Sequence, residues 1–192
     1  MEPMKYEVAV AQEEAELSSL IDIFKRENVK SYLEIGARYG GSFWRIVKSM
    51  PVGSAAIAVD LPAGFGGRKD GEVVLRACIK ELCNIGYNAQ AFYGDSKSKE
   101  VIDQVKAFAP FDAVFIDADH TLPAVTADWQ NYGQMGRIVA FHDIAWARPA
   151  TYTGSKIEVP KFWNQIKVNY RHEEFKTCHT GHDNGIGVLW RS

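Results

Sequence analysis

The chain of 192 residues is short of several things. No apolar run approaches the roughly 20 residues that a membrane-spanning helix needs. The longest stretch without charge, Leu82 to Gly94, is short and partly polar. Neither sign of charge dominates: 22 Lys and Arg stand against 24 Asp and Glu, for a formal net charge of −2. That balance argues against a protein built to bind nucleic acid. Only three cysteines occur, Cys78, Cys83 and Cys178. They cannot all pair and lack metal-ligand spacing, so a reducing, cytoplasmic setting is expected. The opening MEPMKYEVAV lacks the basic and apolar regions of a signal peptide, so none is expected. Repeats, charge blocks and low-complexity tracts are also missing, and no shift in composition marks a linker.

What is present is an ordinary globular composition, 46% hydrophobic and 24% charged. The length suits one domain over residues 1–192, with 1–30 as an N-terminal arm and helix. Short apolar runs alternate with amphipathic stretches, the pattern of an α/β sheet protein. Leu17, Leu20, Ile21 and Phe24 fall on one helical face, and Ser31 to Ile35 then reads as a strand. Ser42 to Met50 predicts a helix and Ala55 to Val59 a strand ending at Asp60. A glycine-rich loop at 63–67 precedes a helix marked by Leu75, Cys78, Ile79 and Leu82. Ala89 to Tyr93 predicts a third strand; Val101, Val105 and Phe108 mark the next helix. Phe111 to Ile116 is the strongest strand signal and runs into Asp117. Val125, Trp129 and Tyr132 share a helical face behind Pro123, and Ile138 to Phe141 is a fifth strand. Val159, Phe162, Trp163 and Ile166 mark a sixth helix. Strands around Phe175 and from Gly185 to Trp190 complete seven.

The turn after the first strand reads Glu34-Ile35-Gly36-Ala37-Arg38-Tyr39-Gly40-Gly41. Glycine lets a backbone approach a ligand closely, because it has no Cβ and accepts positive φ. The spacing differs from the dinucleotide G-x-G-x-x-G, and Ala37 and Arg38 would crowd a pyrophosphate. A carboxylate at Glu34 suits an amino-acid cation instead. The plainer reading is a tight turn with no ligand. Asp60, 24 residues after Gly36, is placed to accept bonds from ribose hydroxyls, or to cap a turn. Asp95 closes the third strand and can equally cap the helix that follows. Asp117-Ala118-Asp119-His120 follows the fourth strand and His142-Asp143 the fifth. Two carboxylates and an imidazole in one crevice suit a divalent cation, with oxygen donors favouring Mg²⁺, Ca²⁺ or Mn²⁺ and the histidine admitting Fe²⁺, Co²⁺ or Zn²⁺. A metal-free polar network is the alternative.

These motifs resemble the class I S-adenosylmethionine-dependent methyltransferases, whose first motif is an acidic residue, any residue, then a glycine turn. Glu34, Gly36 and Gly40 match it. The D-x-D-H of residues 117–120, His142-Asp143, Phe162-Trp163 and the G-x-G-V-L of 185–189 are similar to a small-molecule and sugar O-methyltransferase group. The resemblance covers about residues 13 to 191. It implies a Rossmann-like α/β fold, a seven-stranded sheet of order 3-2-1-4-5-7-6 with the last strand antiparallel, flanked by helices. It implies S-adenosylmethionine bound by Glu34, Gly36, Ala37, Arg38, Gly40, Asp60, Asp95 and Asp117, with Asp95 on the adenine amino group. It implies a divalent cation, Mg²⁺ by preference, on Asp117, His142 and Asp143. In metal-dependent relatives an Asp-Asn pair stands where His142-Asp143 stands here. His120 occupies the spacing of the general base; capping a helix or packing on Trp129 is its plainer role.

The expected activity is O-methylation of a small-molecule or sugar hydroxyl. The alternative is a non-catalytic or hydroxylase-like member of the same fold that binds the cofactor. No nucleic acid or membrane partner is expected, and a homo-oligomer stays open. Trp44, Trp129 and Trp163 are expected in the core and His172 at the surface. Residues 145–156, with Trp146, Arg148 and Tyr152, are read as a substrate lid or equally as a disordered or oligomer-contact loop. Residues 178–183 read as a loop rather than a zinc site.

Overall fold

A computed structural model describes residues 8, 10–62, 71–146, 156–177 and 184–191. The expected glycine-rich loop at 63–67, most of the proposed lid, and Cys178 to Asp183 lie outside those residues.

Each apolar run becomes a strand and each amphipathic stretch a helix. The order is α1 (Glu14–Arg26), β1 (Ser31–Ile35), α2 (Gly41–Ser49), β2 (Ala55–Asp60), α3 (Gly71–Asn84) and β3 (Asn88–Tyr93). Then come α4 (Lys99–Lys106), β4 (Phe111–Ile116), α5 (Leu122–Tyr132), β5 (Gly136–His142), α6 (Val159–Ile166), β6 (Arg171–Phe175) and β7 (Ile186–Trp190). The strands form one sheet of order β3-β2-β1-β4-β5-β7-β6. Five are parallel, and β7 runs antiparallel to both β5 and β6. This is the arrangement that the resemblance implies.

Strand side chains alternate between two faces, and helices cover both, so the central strands are apolar throughout. Tyr32, Ala56, Ala58, Ala113 and Phe115 pack with α1, α2 and α3. Leu33, Ile35, Ile57, Val59, Val114 and Ile116 pack with α4, α5 and α6. The small alanines on the first face leave room for Phe24 and Phe43 against the Tyr32 ring. Trp129 and Trp163 are core residues, as expected. Trp44 is only half-buried, with Lys48 over its ring. Helix α4 stops at Lys106, so Phe108 is not on its apolar face and is 41% exposed. Among the described residues no helix is long and apolar enough to cross a membrane.

Strand β1 pairs with β2 on one side and β4 on the other, and the chain winds away in opposite directions from that point. The crevice between their carboxyl ends is where open α/β sheets bind ligands. The Gly36 turn, Asp60 and Asp117 all lie along it.

Candidate functional site

The first strand ends in a cramped turn. The Gly36 and Ala37 amides both reach the Val59 carbonyl, at 2.8 and 3.3 Å, and the Gly40 amide closes on the Ala37 carbonyl at 2.7 Å. Gly36 has φ +93°, and a Cβ there would stand 2.2 Å from the Asp117 carbonyl oxygen. Glycine is therefore required twice over, by backbone conformation and by space. Gly40 is also left-handed, at φ +83°, and lies over Cys78. Ala37 is buried, whereas Arg38 is exposed and leans on the Tyr39 ring.

Asp60 ends β2 beside this turn. Burial raises its pKa, and the amides of Leu61 and Arg38 hold the rise back. Its Oδ2 is buried and has no hydrogen-bond partner among the described residues. The buried Tyr93 hydroxyl beside it is likewise unpartnered among them.

Glu34 was expected to face an amino-acid cation. It is fully buried, and its two oxygens accept from Tyr32 Oη and Ser42 Oγ, both at 2.5 Å. Burial pushes its pKa up to about 8, against the pull of those two hydroxyls. Glu34 therefore ties β1 to α2 beneath the turn, and both oxygens are occupied. Asp95, the expected adenine contact, is exposed. Its Oδ1 accepts from the Lys97 amide at 2.9 Å, a local turn, and Lys97 Nζ lies 3.4 Å away.

The two clusters at the ends of β4 and β5 do converge. Asp117 Oδ1 lies 3.1 Å from His142 Nδ1 and 3.3 Å from His120 Nε2. His120 Nδ1 meets Asp143 Oδ2 at 2.7 Å, and His142 Nδ1 is 3.3 Å from Asp143 Oδ1. Asp143 takes a left-handed φ of 61°, a strain that functional sites often carry. Burial works to raise Asp117, but the charge of His142 and the bonds from both imidazoles outweigh it and hold the carboxyl well below its usual range. Burial likewise works to lower the histidines and loses to the carboxylates. His120 is raised to about 10 and His142 to about 8. At neutral pH His120 is thus an imidazolium, and it must give up a proton before it can take one. It caps no helix: the residue before α5 is Thr121. Among the described residues no group of three or more His, Cys, Asp and Glu has the arrangement of a formed cation site. Asp117, His142 and Asp143 come together, but matched to imidazoles.

Three features escaped the sequence. Gln12, just before α1, donates from Nε2 to Asp117 Oδ2 at 2.5 Å. Glu16 accepts from the Thr177 amide and hydroxyl at 2.9 and 2.8 Å, and from the Gly185 amide at 3.1 Å. Glu158, just before α6, donates its amide to the His120 carbonyl at 2.7 Å and accepts from the Leu122 amide. Gln12 and Glu158 lie just outside the helical patterns, and Glu16 sits within α1 but is not one of its apolar-face residues, so only the folded chain reveals them.

No family model matches the sequence, and no curated protein matches it. Solved structures do. The TomG O-methyltransferase of Streptomyces achromogenes, in complex with SAM, aligns at TM-score 0.70 and 15% identity over 95% of this chain and 82% of its own. The O-methyltransferase of Bacillus cereus, in complex with SAH, aligns at 0.68 and 14% over 96% and 84%. Cofactor-bound Rv0187 from MTB aligns at 0.71 and 15% over 96% and 83%. At such identities the likeness establishes the fold, that of class I methyltransferases.

Proposed function

We propose that the chain transfers a methyl group from S-adenosylmethionine to a hydroxyl oxygen of a small molecule in a cytoplasmic setting. The observation that carries this reading is the buried Asp60 oxygen at the end of β2, which has no partner among the described residues, beside a turn whose Gly36 leaves no room for a Cβ. A ribose offers two vicinal hydroxyl donors to such a carboxylate, and a buried acceptor left without a donor is costly. Structures of the same fold solved with SAM or SAH support the same cofactor.

Methyl transfer is a direct displacement: the new O–CH₃ bond forms as the S–CH₃ bond breaks, and S-adenosylhomocysteine departs. The protein supplies position and a destination for the hydroxyl proton. His120 fits the second role by place, because 29% of its side chain is exposed against 5% for His142. Asp117 and Asp143 hold its ring through both nitrogens, and it becomes a base once its partly exposed ring has released one proton to solvent.

A divalent cation is part of the proposal. The 3.1 and 3.3 Å spacings among Asp117 Oδ1, His142 Nδ1 and Asp143 Oδ1 resemble those of neighbouring ligands on one ion, about 3 Å apart. Asp143 Oδ1 also lacks a hydrogen bond among the described residues. Bound there, the ion would acidify the acceptor hydroxyl. Protons on the imidazoles compete for the same atoms.

The test is incubation with S-adenosylmethionine and a panel of sugar, catechol and polyketide hydroxyls. Mass spectrometry reads S-adenosylhomocysteine and methylated product together. Product that disappears in Asp60→Asn supports the reading. Cofactor binding without product across the panel would favour the non-catalytic alternative, and no binding would end the proposal.

A further inference from the structure

We infer that Gln12 positions the cofactor: its side-chain carbonyl, set beside Asp117, accepts a hydrogen bond from the α-ammonium of the bound S-adenosyl ligand. The inference rests on the proposed cofactor and deepens it.

Gln12 precedes the first helix, yet it is only 8% exposed. Burying an amide is unfavourable unless both of its ends find partners. One end has done so, with Nε2 on Asp117 Oδ2. Chemistry fixes which end that is. Asp117 Oδ2 is the acceptor there, so the amide nitrogen faces it. The carbonyl oxygen Oε1 is then turned away from Asp117. It is buried, and it has no partner among the described residues.

The location bears on what would satisfy that oxygen. The Asp117 amide donates to the Ile35 carbonyl at 2.8 Å, and the Asp117 carbonyl abuts Gly36. Gln12 therefore stands where the glycine turn meets the histidine and aspartate cluster. Both Asp117 oxygens already have partners, so it is the Gln12 oxygen that calls for a hydrogen-bond donor. A primary ammonium brings three N–H groups. The thioether brings none, and the ligand's own carboxylate would be repelled. The helix behind Gln12 is fastened on two sides: Glu14 pairs with Arg45 of α2, and Glu16 binds Thr177 and Gly185. The carbonyl is thus held in place ahead of the ligand.

The test is calorimetry on the full chain with S-adenosylhomocysteine and with its α-deaminated analogue, for wild type and Gln12→Leu. Wild type should lose affinity on deamination. Gln12→Leu should bind S-adenosylhomocysteine roughly tenfold more weakly, bind the analogue within about twofold of wild type, and lose correspondingly less on deamination. Binding of the analogue also reports that the variant is folded. Gln12→Ala repeats the cycle with a smaller side chain. An equal loss on deamination in wild type and both variants would overturn the inference. So would unchanged nucleoside affinity with a raised KM for the methyl acceptor, because that would assign the carbonyl to the acceptor hydroxyl. If wild type bound neither nucleoside, the cofactor reading itself would fall, and Gln12 with it.

Discussion

Replacing Gly36 with alanine should do more damage than replacing a left-handed glycine that has free space around it. Gly36 and Gly53 make the comparison, because their φ values are nearly equal, +93° and +90°. A Cβ on Gly53 would meet nothing within 4 Å, so Gly53→Ala carries only the conformational cost of about 1–2 kcal/mol. A Cβ on Gly36 would sit 2.2 Å from Asp117 O, 2.6 Å from Asp117 C and 2.7 Å from Ala118 Cα. All three are backbone atoms at the end of a central strand, and they cannot swing aside as a side chain would. Overpacking of that kind adds about 1–3 kcal/mol, for a total of about 2–5 kcal/mol. In a domain of this size that is a fall in Tm of roughly 4–20 °C. Urea denaturation of both variants measures the difference. Equal destabilisation of the two would refute the contact argument and leave only backbone strain. Two of the three crowded atoms belong to Asp117, so Gly36→Ala should also disturb its pairing with His120 and His142.

Asp60→Asn should weaken S-adenosylhomocysteine about tenfold to a hundredfold by calorimetry while leaving the melting curve in place; unchanged affinity would remove Asp60 from the ribose. In EDTA, stability in urea should decline as pH rises from about 6.5 to 10. His142 and His120 have folded pKa values raised to about 8 and 10, so their contribution is full below their unfolded value and is lost as pH climbs through those values. Glu34, raised to about 8, acts in the same direction, and a flat profile would contradict the charge states of all three. Turnover should fall in EDTA and return with Mg²⁺ or Mn²⁺, and His120→Ala should lower kcat by about 10²–10⁴ while sparing cofactor affinity. Full activity in EDTA would remove the cation, and an unchanged kcat would remove the base.

The layered fold was legible because its signals are local. Runs such as FDAVFI and AAIAV are apolar on both faces, and the stretches between them repeat at helical spacing. The ends of the strands were legible for the same reason, marked by Gly36, Asp60, Asp117 and His142. What each residue does at those ends depends on partners from elsewhere in the chain. Asp95 is claimed by the amide two residues on, a local bond that competes with any ligand. Glu34 meets Tyr32 across the period of its own strand and Ser42 from the next helix, and nothing in the motif shows that both oxygens would be taken. The charge of His120 is set by Asp143, which arrives from another strand. Gln12 lies outside every periodic segment, and its burial follows from how α1 docks on α2 and on the β7 side of the sheet.

Titration of the full chain with S-adenosylhomocysteine and with NAD, each with and without Mg²⁺, tests the central claim most directly. Saturable binding of S-adenosylhomocysteine near micromolar, about −8 kcal/mol, with no heat from NAD, is the expected result. Binding of NAD in preference, or no heat from either nucleotide, would contradict a site built from the Gly36 turn and the Asp60 carboxylate.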